Sequence, residues 1–104
     1  MRATQKNILQ YLQEIKSELQ NDGIVSLALF GSFARNEQSV YSDIDIAIQK
    51  KDDYLKNKTA YNYFNEIAKI KALIQNKFHR NSDIFDLDSD SIMKENIEKD
   101  LLYV

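Results

Sequence analysis

The sequence predicts a small α/β (α+β) domain in which a mixed sheet of three to four strands packs against helices. Three observations carry that expectation. Apolar residues recur at helical spacing near the N-terminus. The run IVSLALF, Ile24 to Phe30, is apolar at nearly every position and too short for a core helix, and DIDIAI, Asp43 to Ile48, alternates strictly.

From Thr4 to Asn21, Ile8, Leu12, Ile15 and Leu19 fall on one stripe with Gln, Lys and Glu between them, which predicts an amphipathic helix with one face on a core. Asp22-Gly23 stops it, glycine being the usual left-handed cap. Ile24 to Phe30 then reads as a strand covered on both faces, at the centre of the sheet. In the second strand Ile44, Ile46 and Ile48 share one face and Asp43 and Asp45 the other. Tyr61, Phe64, Ile67, Ile70, Leu73 or Ile74, and Phe78 predict one long helix from about Asp53 to Lys77. DIFDL, Asp83 to Leu87, is the third strand. The cluster Asp88-Ser89-Asp90-Ser91 offers N-caps for a last helix carrying Ile92, Met93, Ile97 and Leu101.

Composition narrows the function. A chain of 104 residues has room for one domain, expected to span 1–104, which buries about 65% of its unfolded surface. A large substrate must then be handled partly by a partner. With 43% hydrophobic and 29% charged residues the chain is of the folded, globular kind. It has no cysteine, which removes thiolate metal sites and cysteine nucleophiles and fits a reducing compartment. No run approaches the ~18 apolar residues of a membrane span, and the N-terminus shows no signal-peptide pattern, so a cytoplasmic protein with no membrane contact is expected. A net charge of -2 and a pI near 5.3 argue against direct binding of duplex nucleic acid. A small anion held at one local site remains compatible.

The chemistry concentrates in GSFARNEQSVYSDIDIAI. Carboxylates at i and i+2 of a strand point to the same side, about 7 Å apart at the backbone, where their oxygens can converge on one cation. Hard oxygen donors favour magnesium or manganese. Magnesium takes only one or two protein carboxylates and completes its shell with water and substrate phosphates, so the pair predicts a nucleotide or another phosphate ester. Gly31-Ser32 lies where the first strand ends, and SFARNE can begin a short helix with Ser32 as its cap. The exposed amides and the hydroxyl of such a turn form an anion site, glycine letting the backbone approach phosphate closely. Arg35, one turn on, either reaches an outer phosphate or pairs with an acidic neighbour. The two halves are spaced to meet around one nucleoside triphosphate.

Gly31-Ser32, ten intervening residues and Asp43-Ile44-Asp45 resemble the signature of the DNA polymerase beta superfamily of nucleotidyltransferases, and GSFARNE with SDIDIAI resembles its minimal, single-domain members. The resemblance implies a polymerase beta-like nucleotidyltransferase fold, two magnesium ions (or manganese) on Asp43 and Asp45, Ser32 on the triphosphate of ATP, and a third carboxylate on the later strand. Asp83 stands where the family places that acid, which the resemblance implies helps to bind the catalytic metal and activates the attacking hydroxyl. Asp86 and Asp88 crowd the same strand, and alternation puts them on the face opposite Asp83. Many relatives carry glycine where Asn36 stands, and asparagine tolerates the left-handed conformation.

Minimal members commonly act as antitoxins that place AMP on a tyrosine of a HEPN-domain toxin, a ribonuclease. The resemblance therefore implies an adenylyltransferase in a hetero-oligomeric toxin–antitoxin pair. Two alternatives stay open: an antitoxin or regulatory subunit that neutralises by binding alone, and a small-molecule nucleotidyltransferase whose acceptor surface comes from a second subunit. His79 in KFHR reads as a surface or capping residue, or with Lys77 and Arg80 as part of a basic lip. Tyr54, Tyr61 and Tyr63, expected on one helix, could serve a partner surface.

Overall fold

In the computed structural model, which describes residues 1–104, Thr4 starts the first helix by accepting a hydrogen bond from the Asn7 amide at 3.1 Å. The elements are α1 (Gln5–Asn21), β1 (Ile24–Phe30), α2 (Gly31–Ala34), β2 (Ile44–Lys50), α3 (Tyr54–Asn57), α4 (Ala60–Phe78), β3 (Ser82–Asp86), α5 (Lys94–Glu98) and β4 (Leu102–Tyr103). Gly23 leaves α1 at φ 102, and a Cβ there would press on the Tyr54 ring at 2.7 Å, so both the turn and the packing need glycine.

The sheet order is β3-β2-β1-β4, with β2 and β3 parallel and the other pairs antiparallel. The predicted mixed sheet is thus four-stranded, with β1 and β2 inside it. Leu27 and Leu29 stand opposite Ile48 and Ile46, so the odd leucines of β1 and the even isoleucines of β2 share one face. That face meets Ile8, Leu12, Ile15 and Leu19 of α1 and Ile70, Ile74 and Phe78 of α4 in the main core. On the other face Ala28 and Ala47 are covered by Leu87 and Ile97 in a small second cluster. The cover ends there: Asp43 and Asp83 are exposed and Asp45 is half-buried. The open end of this second face is where the acidic residues collect.

Four expectations are corrected. The long helix is two helices. Lys58 is extended, and Thr59 begins α4 through a capping box in which its side chain accepts from the Asn62 amide while the Asn62 side chain accepts from the Thr59 amide. Tyr54 is buried on α3, and the α4 stripe runs through Glu66, Ile70, Ile74 and Phe78, leaving Tyr61 and Phe64 exposed. The three tyrosines therefore do not form one surface, since Tyr63 is half-buried and bonded to Asp86.

The last helix is shorter than predicted, because Ser91 closes a turn on the Met93 amide and Ile92 and Met93 stay exposed. Leu101 lies beyond it. The chain then returns as β4, unforeseen from its two residues, which satisfies the outer edge of β1 through Ala28↔Tyr103 and Leu29↔Leu102. Asp43 lies one residue before β2 rather than inside it.

Candidate active site

Register brings the acidic residues together. Asp45 pairs with Phe30 on one side and with Asp83 on the other, and cross-strand partners point to the same face. Asp43, two residues before Asp45, flanks them. Asp86 pairs with Ile48 on the opposite face. There it is ion-paired to Lys50 and accepts the Tyr63 hydroxyl at 2.7 Å. Burial would raise its pKa, but the hydrogen bonds from Lys50, Tyr63 and the Asp88 amide outweigh that and lower it. Asp88 sits beyond the strand against Gln49 and Lys50. The crowding seen in the sequence thus resolves into one acid on the Asp45 face and two bound to Lys50.

What distinguishes the acids of this face is that they crowd one another: Asp45 is half-buried and feels the charges of both Asp83 and Asp43. No lysine or arginine pairs with Asp43, Asp45 or Asp83, whereas Asp22, Asp86, Asp88 and Asp100 each have a cationic partner. Burial pushes the Asp45 carboxyl up to about 6, with the charges of Asp83 and Asp43 adding to the rise and Arg35 opposing it. Asp45 and Asp83, paired across the ladder, and Asp43 beside them bring mutually repelling carboxylates to one face, a chemistry that suits a hard cation. No three His, Asp or Glu side chains form a ready-made cage. An open site of one or two carboxylates completed by water and phosphate is the arrangement magnesium favours, so the residues fit that ion.

The turn beside them is built around Gly31. Phe30 is still extended, Gly31 takes φ 73, and α2 begins there, so Ser32 lies inside the first turn and is not its cap; no side chain caps it. Glycine's freedom lets the turn start one residue earlier than the sequence suggested. A Cβ at Gly31 would stand 3.0 Å from Cγ of Asp45 and closer still to its Oδ2, so this glycine is what lets the carboxylate lie against the turn. The turn closes with Asn36 at φ 56, its amide bonded to the Phe33 carbonyl and the Glu37 amide to that of Ser32, the paired bonds of a Schellman motif. Asparagine takes the left-handed position as expected.

Arg35 donates to Asp100 at 2.7 Å and to Glu37 at 3.1 Å, yet lies near enough to act on Asp45. Lys77, His79 and Arg80 do not form one lip. His79 is the left-handed cap of α4, Lys77 lies over the Tyr11 ring, and Arg80 turns toward the loop before Asp43. Sequence reading also missed Phe30 and Phe85, whose rings meet edge-to-face at 6.3 Å on the acidic face. Their alternation with Leu29 and Ile84 was the available signal.

A four-stranded mixed sheet that brings a Gly-Ser turn beside aspartates of neighbouring strands defines a nucleotidyltransferase fold, and the chain belongs to that family: the profile described as "Polymerase beta, Nucleotidyltransferase" matches residues 13–103. It is similar to two proteins of Methanocaldococcus jannaschii described as candidate protein adenylyltransferases. One is 34% identical over 106 residues, covering 97% of this chain and 98% of the relative. The other is 36% identical over 102 residues, covering 95% and 93%. Among solved structures, a candidate minimal nucleotidyltransferase superposes with a TM-score of 0.73 at 18% identity, over 96% of this chain and 95% of that one. A chain from a toxin–antitoxin structure with AMP-PNP superposes at 0.62 and 21% identity, over 88% and 69%. These two likenesses concern the fold.

Proposed function

We propose that residues 1–104 act as one minimal domain, a magnesium-dependent adenylyltransferase that moves AMP from ATP to a hydroxyl of a partner protein, a tyrosine in our reading. The observation that carries this is the half-buried Asp45, raised to about 6 between burial, Asp83 and Asp43, against a turn that only glycine can make. Asp43 and Asp45 would hold the ion, with Asp83 on the side of the attacking group. Magnesium, when bound there, would polarise the α-phosphate and offset the charge that builds up in the transition state. Asp83 accepts the hydroxyl proton. The freed oxygen forms a bond to the α-phosphorus as the bond to the bridging oxygen of the β-phosphate breaks and pyrophosphate leaves. Gly31 lets backbone approach the β- and γ-phosphates, Ser32 offers its amide and hydroxyl, and Arg35 reaches an outer phosphate by exchanging Asp100 for it.

The protein acceptor draws support from the relatives described as protein adenylyltransferases. Val40 and Tyr41, just before Asp43, are 78% and 91% exposed, an apolar lip that suits a macromolecular acceptor. The structural neighbour from a toxin–antitoxin pair supports the antitoxin role, and the resemblance of the motif supports a HEPN-type ribonuclease toxin as partner. No helix is long and apolar enough to cross a membrane.

The test is intact-mass analysis of a helical partner encoded beside this chain after incubation with magnesium and ATP. A mass gain of one AMP that requires Asp43 and Asp45 supports the proposal. Full neutralisation of the partner by the Asp43→Ala/Asp45→Ala variant, without ATP, would instead make the chain an antitoxin that works by binding.

A further inference from the structure

We propose that Arg80 is a positioning residue: it fixes the Ser42–Asp43 peptide against the Gly31-Ser32 turn and thereby sets the direction from which Asp43 enters the site. The inference rests on reading Asp43 as a metal-holding carboxylate.

Asp45 needs no such help, because the ladder holds it between Phe30 and Asp83. Asp43 is exposed and precedes β2, so no strand pairing places it. What places it is the pair of residues on either side. The Ile44 amide donates to the Asn81 carbonyl at 3.0 Å, and Arg80 Nη1 donates to the Ser42 carbonyl at 2.7 Å. A peptide unit is planar, so fixing the Ser42 carbonyl also fixes the Asp43 amide in the same plane. Residues 80 and 81 therefore bracket Asp43 from one short segment.

The same guanidinium reaches further. Nη1 lies 3.4 Å from the Val40 carbonyl and 3.5 Å from that of Ser39, completing a cup of three oxygens. Its carbon stands 5.4 Å over the ring of Phe33, a fully buried residue next to Ser32 in α2. The loop's own bonds close it upon itself: Ser42 amide to Ser39 carbonyl, Ser39 amide to Ser42 Oγ, and Tyr41 amide to Ser39 Oγ. None of these reaches α2. Arg80 does, joining the phosphate turn to the carboxylate loop, and it is delivered there because His79 ends α4 at φ 55. A lysine offers a point charge without the planar fork and stacks less well, so it replaces only part of this function.

The experiment compares wild type, Arg80→Ala and Arg80→Lys by amide hydrogen exchange of the metal-free protein and by calorimetric titration with manganese. Exchange should quicken at Ser42 and Ile44 in Arg80→Ala while Leu29 and Ile46 in the ladder stay protected. Manganese affinity should fall about tenfold, the lower end of what loss of a ligand-orienting contact costs. Added guanidinium should restore it, and Arg80→Lys should lie between. In an Asp43→Asn background Arg80→Ala should cost nothing further.

Unchanged exchange at Ser42 and Ile44 would overturn the proposal. So would an equal affinity loss in the Asp43→Asn background, which would mean that Arg80 acts elsewhere. Were wild type itself to bind no manganese, the metal reading would fall, and the exchange comparison would still decide whether Arg80 holds the loop.

Discussion

Replacing Asp45 by asparagine should make the metal-free protein more stable at neutral pH while removing its response to divalent ions. The carboxyl is raised from 3.8 to about 6, first by burial and then by Asp83 and Asp43. A separation of that size corresponds to about 3 kcal/mol between the charged and neutral forms, and partial exposure screens it to about 1–2 kcal/mol. The folded state holds its proton more tightly than the unfolded chain does. The site is therefore at its most favourable below pH 4, loses stability as pH rises from about 4 to about 6, and carries the full penalty above that.

Asparagine keeps the shape and drops the charge. At pH 7.5 its melting temperature should rise by several degrees, since about 4–8 °C accompanies each kcal/mol in a domain of this size. At pH 4 the two proteins should melt together. Added magnesium should raise the wild-type melting temperature and leave the variant where it was. Thermal scans at the two pH values, with and without the ion, check all three statements. A variant that is no more stable than wild type at pH 7.5, or equally shifted at pH 4, would refute the claim that crowded, unpaired carboxylates define this site.

Asp83→Asn should lower AMP transfer at least about 100-fold, read by partner mass, whereas Asp86→Asn should lower it less and instead cost about 1–3 kcal/mol in denaturant melts, because the amide loses the charge that pairs with Lys50 and leaves one oxygen for the three donors Lys50, Tyr63 and the Asp88 amide. Gly31→Ala should reduce both stability and manganese affinity: its φ of 73 disfavours any side chain by about 1–2 kcal/mol, and its Cβ would displace the Asp45 carboxylate. Glu66, buried on α4 and pushed up to about 7 by burial and by Asp22, should make wild-type stability fall as pH rises from about 4.5 through 7. Glu66→Gln should flatten that slope in pH-dependent unfolding without touching transfer.

Much of the fold was legible because short-range periodicity encodes it. The stripe Ile8, Leu12, Ile15, Leu19 and the alternation of DIDIAI appear in the structure as the buried faces they predict. Breaks that depend on side-chain hydrogen bonding were harder to see. The Thr59–Asn62 box that divides the long helix lies in a polar stretch whose spacing looks helical throughout. β4 has only two residues, too few for any period to register, and exists because β1 has an edge to satisfy.

In the site, the chain order of Gly31-Ser32, Asp43 and Asp45 was enough to join a turn to a pair of acids, since both belong to segments close in sequence. Strand periodicity also separated Asp83 from Asp86 by face. What periodicity could not decide is which residue of another strand stands beside Asp45, or which charges are already neutralised. Parallel register placed Asp83 next to Asp45, while the end of β2 brought Lys50 and the packing of α4 brought Tyr63 to Asp86, leaving one acid free and the other bound. Tertiary structure likewise sent Arg80 from an apparent surface lip into the carbonyl cup before Asp43. Local sequence determines which groups a segment offers and on which face. The partners those groups find are set by long-range pairing, where burial and charge act across elements far apart in the chain.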